Sequence, residues 1–154
     1  MVVEATSQEI LQRTIDHFWE TIPPVWNRVR LHVRSIATEN YDISVEQFHI
    51  LRHVRKGMAS VSELATIRQI SRPAVSQAVN LLVEKGLLTR QHSSDDRRYV
   101  ELQLTQSGNE MLNGIFDGNR AWMMEKLAGL SPKEIACLNN AMIVLGTIFN
   151  DLER

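Results

Sequence analysis

Residues 71–105 read SRPAVSQAVNLLVEKGLLTRQHSSDDRRYVELQLT, and a change of period inside this stretch decides the fold. Between Ser71 and Lys85, the apolar residues Val75, Ala78, Val79 and Leu82 share one arc of a helical wheel drawn at ~100° per residue. Arg72, Pro73, Ser76, Gln77, Asn80 and Glu84 share the opposite arc. Ser71 is a suitable N-cap, and Gly86 after Glu84-Lys85 is a stop. Beyond Gly86 the period falls to two. Val100, Leu102 and Leu104 alternate with Glu101, Gln103 and Thr105, as in a half-buried strand. Leu87 to His92 is its partner, joined to it through the polar run Ser93-Ser94-Asp95-Asp96-Arg97-Arg98. The reading is a helix followed at once by a β-hairpin with a charged tip.

The flanks are helical. Five capping boxes mark helix starts: Thr6–Glu9, Ser44–Gln47, Ser60–Glu63, Ser107–Glu110 and Ser131–Glu134. Gly57 after Arg55-Lys56 marks a stop. Helices are expected at 7–38, 44–56, 61–67, 71–85, 106–128 and 132–152. Pro23-Pro24 removes two backbone donors, so a kink or break is expected in the first. The short helix at 61–67 and the helix at 71–85 form a helix-turn-helix, and the hairpin makes it a winged helix. The fold class is mainly α with a small β-hairpin wing. Ile135, Leu138, Met142, Leu145, Phe149 and Leu152 recur at seam spacing in the last helix. Ile15, Phe18, Ile22, Val25 and Val29 do so in the first. The expected organisation is a helical dimerisation lobe at 1–40 and 106–154 around a DNA-binding lobe at 41–105, with the terminal helices intertwined in a homodimer.

With 154 residues, 44% of them apolar and 23% charged, the chain is neither disordered nor a disulfide-stapled miniprotein. A single cysteine, Cys137, closes no intrachain disulfide. No secretory signal or ~18-residue apolar run is visible, so a soluble, cytoplasmic protein without a membrane partner is expected. The net charge is −1, but from Arg52 to Arg98 nine cationic residues face four acids, a surplus of five that leaves −6 elsewhere. A basic middle between acidic arms suits a chain that meets phosphates with one part only. No nucleophile–base pair, phosphate-cradling loop or carboxylate pair appears, so no enzyme and no cofactor is expected. The five histidines are scattered. His49 and His53 share a helix face with Glu46, and two surface histidines are the preferred reading over a metal site.

The polar arc suits a major groove. Gln and Asn bond bidentately to adenine edges, and Arg bonds to guanine or phosphate. Ser71, Ser76 and the helix N-terminus suit phosphate oxygens, while Pro73 packs against a thymine methyl. At the wing tip Arg97 or Arg98 is expected to enter the minor groove, with Asp95 or Asp96 pairing a neighbouring Arg. Arg90 completes the DNA-facing set. A helix of this kind that binds only protein would carry exposed apolar anchors on the same arc, and it has none.

These residues resemble the MarR family of bacterial transcriptional regulators. The resemblance is carried by Ser62-Glu63-Leu64-Ala65, Ser71-Arg72-Pro73-Ala74-Val75-Ser76, Leu82-Val83-Glu84-Lys85-Gly86-Leu87, and Asp96-Arg97-Arg98 with Leu104-Thr105 and Gly108. It implies a homodimer on a pseudo-palindromic operator in double-stranded DNA, acting as a repressor. It implies a recognition helix at 71–85, a wing at 93–98, Arg98 as the minor-groove arginine, Asp96 as its stabiliser and Gln77 as a base reader. The sequence departs from the pattern in one respect: before Lys85, Arg72 is the helix's sole basic residue. Release by a small aromatic or phenolic effector is also implied, with Trp19, Trp26, His32 and Met111 as candidate pocket residues. The alternatives are a redox-responsive regulator acting through Cys137, which is expected to be a buried and inert thiol, and a winged-helix protein-interaction module.

Overall fold

The computed structural model describes residues 6–58, 60–92 and 100–150. The chain runs α1 (Ser7–Ser35), a π-helical turn (Ile36–Asn40), α2 (Val45–Arg55), α3 (Val61–Arg68) and α4 (Arg72–Glu84). The hairpin β1 (Leu88–His92) and β2 (Val100–Leu104) follows, then α5 (Gln106–Leu127) and α6 (Pro132–Asn150). It divides into two compact units, Met1–Asn119 and Arg120–Arg154.

The local signals explain most helix starts. Thr6, Ser44 and Ser60 each accept from the backbone N–H three residues on, while Glu9, Gln47 and Glu63 accept in return from the cap's own N–H. Ser131 and Glu134 make the same reciprocal pair. The expected box at Ser107–Glu110 does not form. Thr105 caps α5 instead, its hydroxyl accepting from Gly108 N–H at 3.0 Å and donating to the Gly86 carbonyl at 2.7 Å. Thr105 wins because it also closes the sheet, its own N–H donating to the Leu87 carbonyl.

Of the kink or break expected in the first helix, the break does not occur: Pro23 and Pro24 lie inside a continuous α1. The carbonyls left without helical donors belong to Trp19 and Glu20, both exposed, so water can serve them. The irregularity comes later, at the π-helical turn that buries Ile36 and Ala37. Tyr41 then approaches α5 so closely that a Cβ on Gly114 would strike its hydroxyl.

The core of the first unit gathers Ile43, Ile50, Leu51, Leu64, Val75, Val79, Leu82, Leu88, Leu112 and Ile115, all essentially inaccessible. Each such side chain stabilises the fold by ~1.5–3 kcal/mol relative to exposure. α4 contributes Val75, Val79 and Leu82, the arc read from the wheel. β1 and β2 pair antiparallel with Leu88 opposite Leu104 and Arg90 opposite Leu102. Gly108 lets α5 start against this sheet, since a Cβ there would run into the Leu87 carbonyl oxygen.

In the second unit, Ile135, Met142, Ile143, Val144, Ile148 and Phe149 of α6 are all exposed. Cys137 is exposed too, contrary to the buried thiol expected, because none of the described residues of its own unit covers that face. Along α1, no residue is fully buried.

Candidate nucleic-acid interface

The interface is built on α4. α3 ends at Gln69, whose left-handed backbone (φ 54°) turns the chain, and Ile70 N–H bonds back to the Ala65 carbonyl. Ser71 then opens α4, its hydroxyl accepting from Ala74 N–H at 3.3 Å. With Val75, Val79 and Leu82 buried, the opposite arc is presented outward. Ser71, Arg72, Pro73, Gln77, Asn80 and Glu84 are exposed, and Ser76 is half-buried. The positive end of the helix dipole lies at the Arg72 end of that arc. Geometry and charge together make a ridge of donors and acceptors on a rigid, core-anchored helix.

Two side-chain contacts tie this helix to its surroundings. Arg90 Nη2 on β1 donates to Asn80 Oδ1 at 2.5 Å. At the other end of α4, Lys85 Nζ donates to the Asp42 backbone carbonyl and to its carboxylate at 2.8 Å. The Lys85 hydrogen bond and charge hold the Asp42 carboxyl below the usual carboxylate range. The wing tip that carries Asp95, Asp96, Arg97 and Arg98 lies outside the described residues, as does Leu152.

A cavity of about 1020 Å³ opens beside the helix-turn-helix. Trp26, Phe48 and Phe116 supply aromatic wall, and Arg30, Arg34, Arg52, Arg68, His49 and His53 supply cationic or titratable wall. Its one acid, Glu46, is forked to Arg68, with Nε to Oε1 and Nη2 to Oε2 both at 3.1 Å. Burial, then the charges of Arg68 and Arg52, push the His49 imidazole below its ordinary pKa. His53 is lowered by burial and by the same arginines. The Nδ1 of His53 is buried and has no hydrogen-bond partner among the described residues. Of the sequence-derived pocket residues Trp26 lines this cavity, whereas Trp19, His32 and Met111 do not. Trp19 is exposed, and Met111 packs partly buried against the core. Among the described residues no group of three or more His, Cys, Asp or Glu is placed to hold a metal.

The dimer-seam residues are accessible to different degrees. Ile15, Ile135, Leu138, Met142 and Phe149 are exposed, while Phe18, Ile22 and Leu145 are half-buried. No described helix is long and apolar enough to cross a membrane.

Comparison with known proteins gives concordant results. A model of the MarR family matches residues 41–98. The chain is 30% identical over 100 residues to the HTH-type transcriptional repressor MdtR of Bacillus subtilis, a match spanning 64% of each protein. It is 26% identical over 115 residues to the uncharacterized HTH-type transcriptional regulator YpoP of the same organism, covering 74% of this chain and 80% of that one. Among solved structures, the transcriptional regulator Tm0710 from Thermotoga maritima superposes with a TM-score of 0.80 at 19% identity, covering 90% of this chain and 99% of that one. Streptococcus pneumoniae FabT, solved in complex with DNA, gives a TM-score of 0.67 at 23% identity over 90% and 99% of the two chains. At these identities the structural likeness speaks for the fold.

Proposed function

The chain belongs to the MarR family of winged helix-turn-helix regulators, and on that premise we propose that it is a dimeric, sequence-specific DNA-binding repressor released by a small anionic effector. The carrying observation is the outward arc of α4, where Arg72, Gln77 and Asn80 stand exposed on a helix whose other face is locked in the core. Gln77 reads a base edge, Ser71, Arg72 and Ser76 hold phosphate, and Pro73 meets a thymine methyl. Arg97 and Arg98 enter the minor groove from the wing, with Asp96 fixing its tip.

A pseudo-palindromic operator requires two copies of α4, one per half-site. The exposed apolar residues of α1 and of α6 are the surfaces a second copy buries, since isolated soluble chains rarely leave such stripes in water. The cavity takes the effector. Its aromatic walls suit a ring, and its arginines and histidines suit a carboxylate or phenolate. Arg68 ends α3, immediately before the turn into α4. An anion that draws Arg68 from Glu46 therefore perturbs the seat of the recognition helix. The protein works in the cytoplasm, where its operator is.

The test is a fluorescence-anisotropy titration against the DNA upstream of its own coding region, at two salt concentrations, with random duplex as competitor. Tight, salt-sensitive and competitor-resistant binding is expected. Gln77→Ala should weaken that duplex by ~1–3 kcal/mol while leaving random DNA unaffected. Binding no tighter than to random DNA from any upstream region or genomic selection would overturn the proposal.

A further inference from the structure

Arg90 stands on the wrong face for a cation. The register that buries Leu88 and Leu102 puts residue 90 on the same side of the hairpin, since it lies two residues from Leu88 and opposite Leu102. An apolar side chain is the ordinary occupant of such a position. Arg90 is nevertheless exposed, and its guanidinium ends 2.5 Å from Asn80 Oδ1, in the middle of the outward arc of α4. The orientation of the Asn80 amide is settled by chemistry, because a guanidinium has only donors and its partner must be the oxygen.

This contact changes what Asn80 can read. Two-point recognition of adenine needs Oδ1 to accept from N6 while Nδ2 donates to N7. Here Oδ1 already accepts a charge-assisted bond, and its second lone pair lies beside a cation that repels the positive end of an N6–H group. What Asn80, itself exposed, has left to offer a base is Nδ2 with its two donors, together with the remaining N–H groups of Arg90. We propose that the Arg90–Asn80 pair is a specificity device that turns Asn80 into a donor and selects guanine, whose N7 and O6 both accept, over adenine at one base pair of each half-site. The proposal rests on the DNA-binding reading above.

Selection from a randomised duplex pool tests it, with the base preference at each position as the readout. The wild-type chain should prefer guanine at the contacted base pair. Arg90→Met frees Oδ1 and should shift the guanine-to-adenine ratio there by about tenfold toward adenine. Arg90→Lys keeps a donor and a charge and should retain the guanine preference. Asn80→Ala should abolish discrimination at that base pair alone, and it serves as the independent variant should Arg90→Met misfold. An unchanged preference in Arg90→Met with uniformly weaker binding would make Arg90 a phosphate contact and overturn the device. So would unchanged discrimination in Asn80→Ala. Wild-type binding without any sequence preference would overturn the regulator reading itself, and the device with it.

Discussion

Gly108→Ala isolates the packing that seats the wing. The added Cβ would run into the Leu87 carbonyl oxygen and crowd the Leu104 side chain. The obstacle is mainly backbone, so it cannot be relieved by a rotamer change. The Leu87 carbonyl already accepts the Thr105 N–H, so moving it weakens the closure of the sheet. Overpacking of this kind costs ~1–3 kcal/mol, more than the ~0.5–1 kcal/mol that alanine gains over glycine in a helix. The net loss is therefore up to about 2.5 kcal/mol; for a chain of this length each kcal/mol shifts Tm by ~2–4 °C, so a drop of up to roughly 10 °C is expected. Gly129, between α5 and α6, has nothing within 4 Å of its missing Cβ among the described residues and no positive φ, and Gly129→Ala should leave Tm unchanged or raise it. Differential scanning calorimetry of both variants gives the comparison. DNA affinity should also fall in Gly108→Ala, because Leu87 leads into the strand that carries Arg90. A Gly108→Ala protein as stable as the parent would refute the reasoning, as it would mean that Leu87 and α5 separate at no cost.

Four other outcomes are expected. His49 and His53 have folded pKa values below the ordinary 6.5, so the unfolded chain binds their protons first. Stability should therefore hold above about pH 6.5 and fall as pH drops from there to the lower folded values. A His49→Gln/His53→Gln double variant should lose that slope in thermal melts between pH 8 and 5, and an unaltered slope would count against the cavity histidines. Benzoate, as a probe of the cavity, should bind more tightly as pH falls through the same window. Leu145→Asp and Met142→Asp should convert a dimer to a monomer in sedimentation velocity, whereas an intact dimer would move the seam elsewhere. Arg98→Ala should lower DNA affinity and reduce the salt slope by about one, and an unchanged slope would remove it from the groove.

What was legible in the sequence follows from the range of the interactions involved. The caps at Thr6, Ser44, Ser60 and Ser131 close over three residues, so the chain states them locally. The buried arc of α4 was readable because Val75, Val79 and Leu82 are set by helical period alone. Thr105 took the cap from Ser107 because its hydroxyl also reaches Gly86, nineteen residues away, which no local pattern reports. The cavity was only partly legible for the same reason. Trp26 lies on α1, Arg52 and His53 on α2 and Arg68 on α3, and the fold alone brings them to one wall. The apolar neighbours of Cys137 imply burial, whereas α6 leaves them outward within its unit.

Arg90 is where these two kinds of information meet. Alternation placed residues 88, 102 and 104 on one face, and the same rule put a cation among them. A charged residue at an inward register position calls for a partner within reach of its stem. That demand is readable from sequence, but the identity of the partner is not, because it depends on how the hairpin leans on α4. The structure supplies Asn80, ten residues back and on the opposite arc from the core. A residue that the sequence places only in the DNA-facing set thus becomes part of the reading head. The base preferred at that position follows from the pair and from neither residue alone.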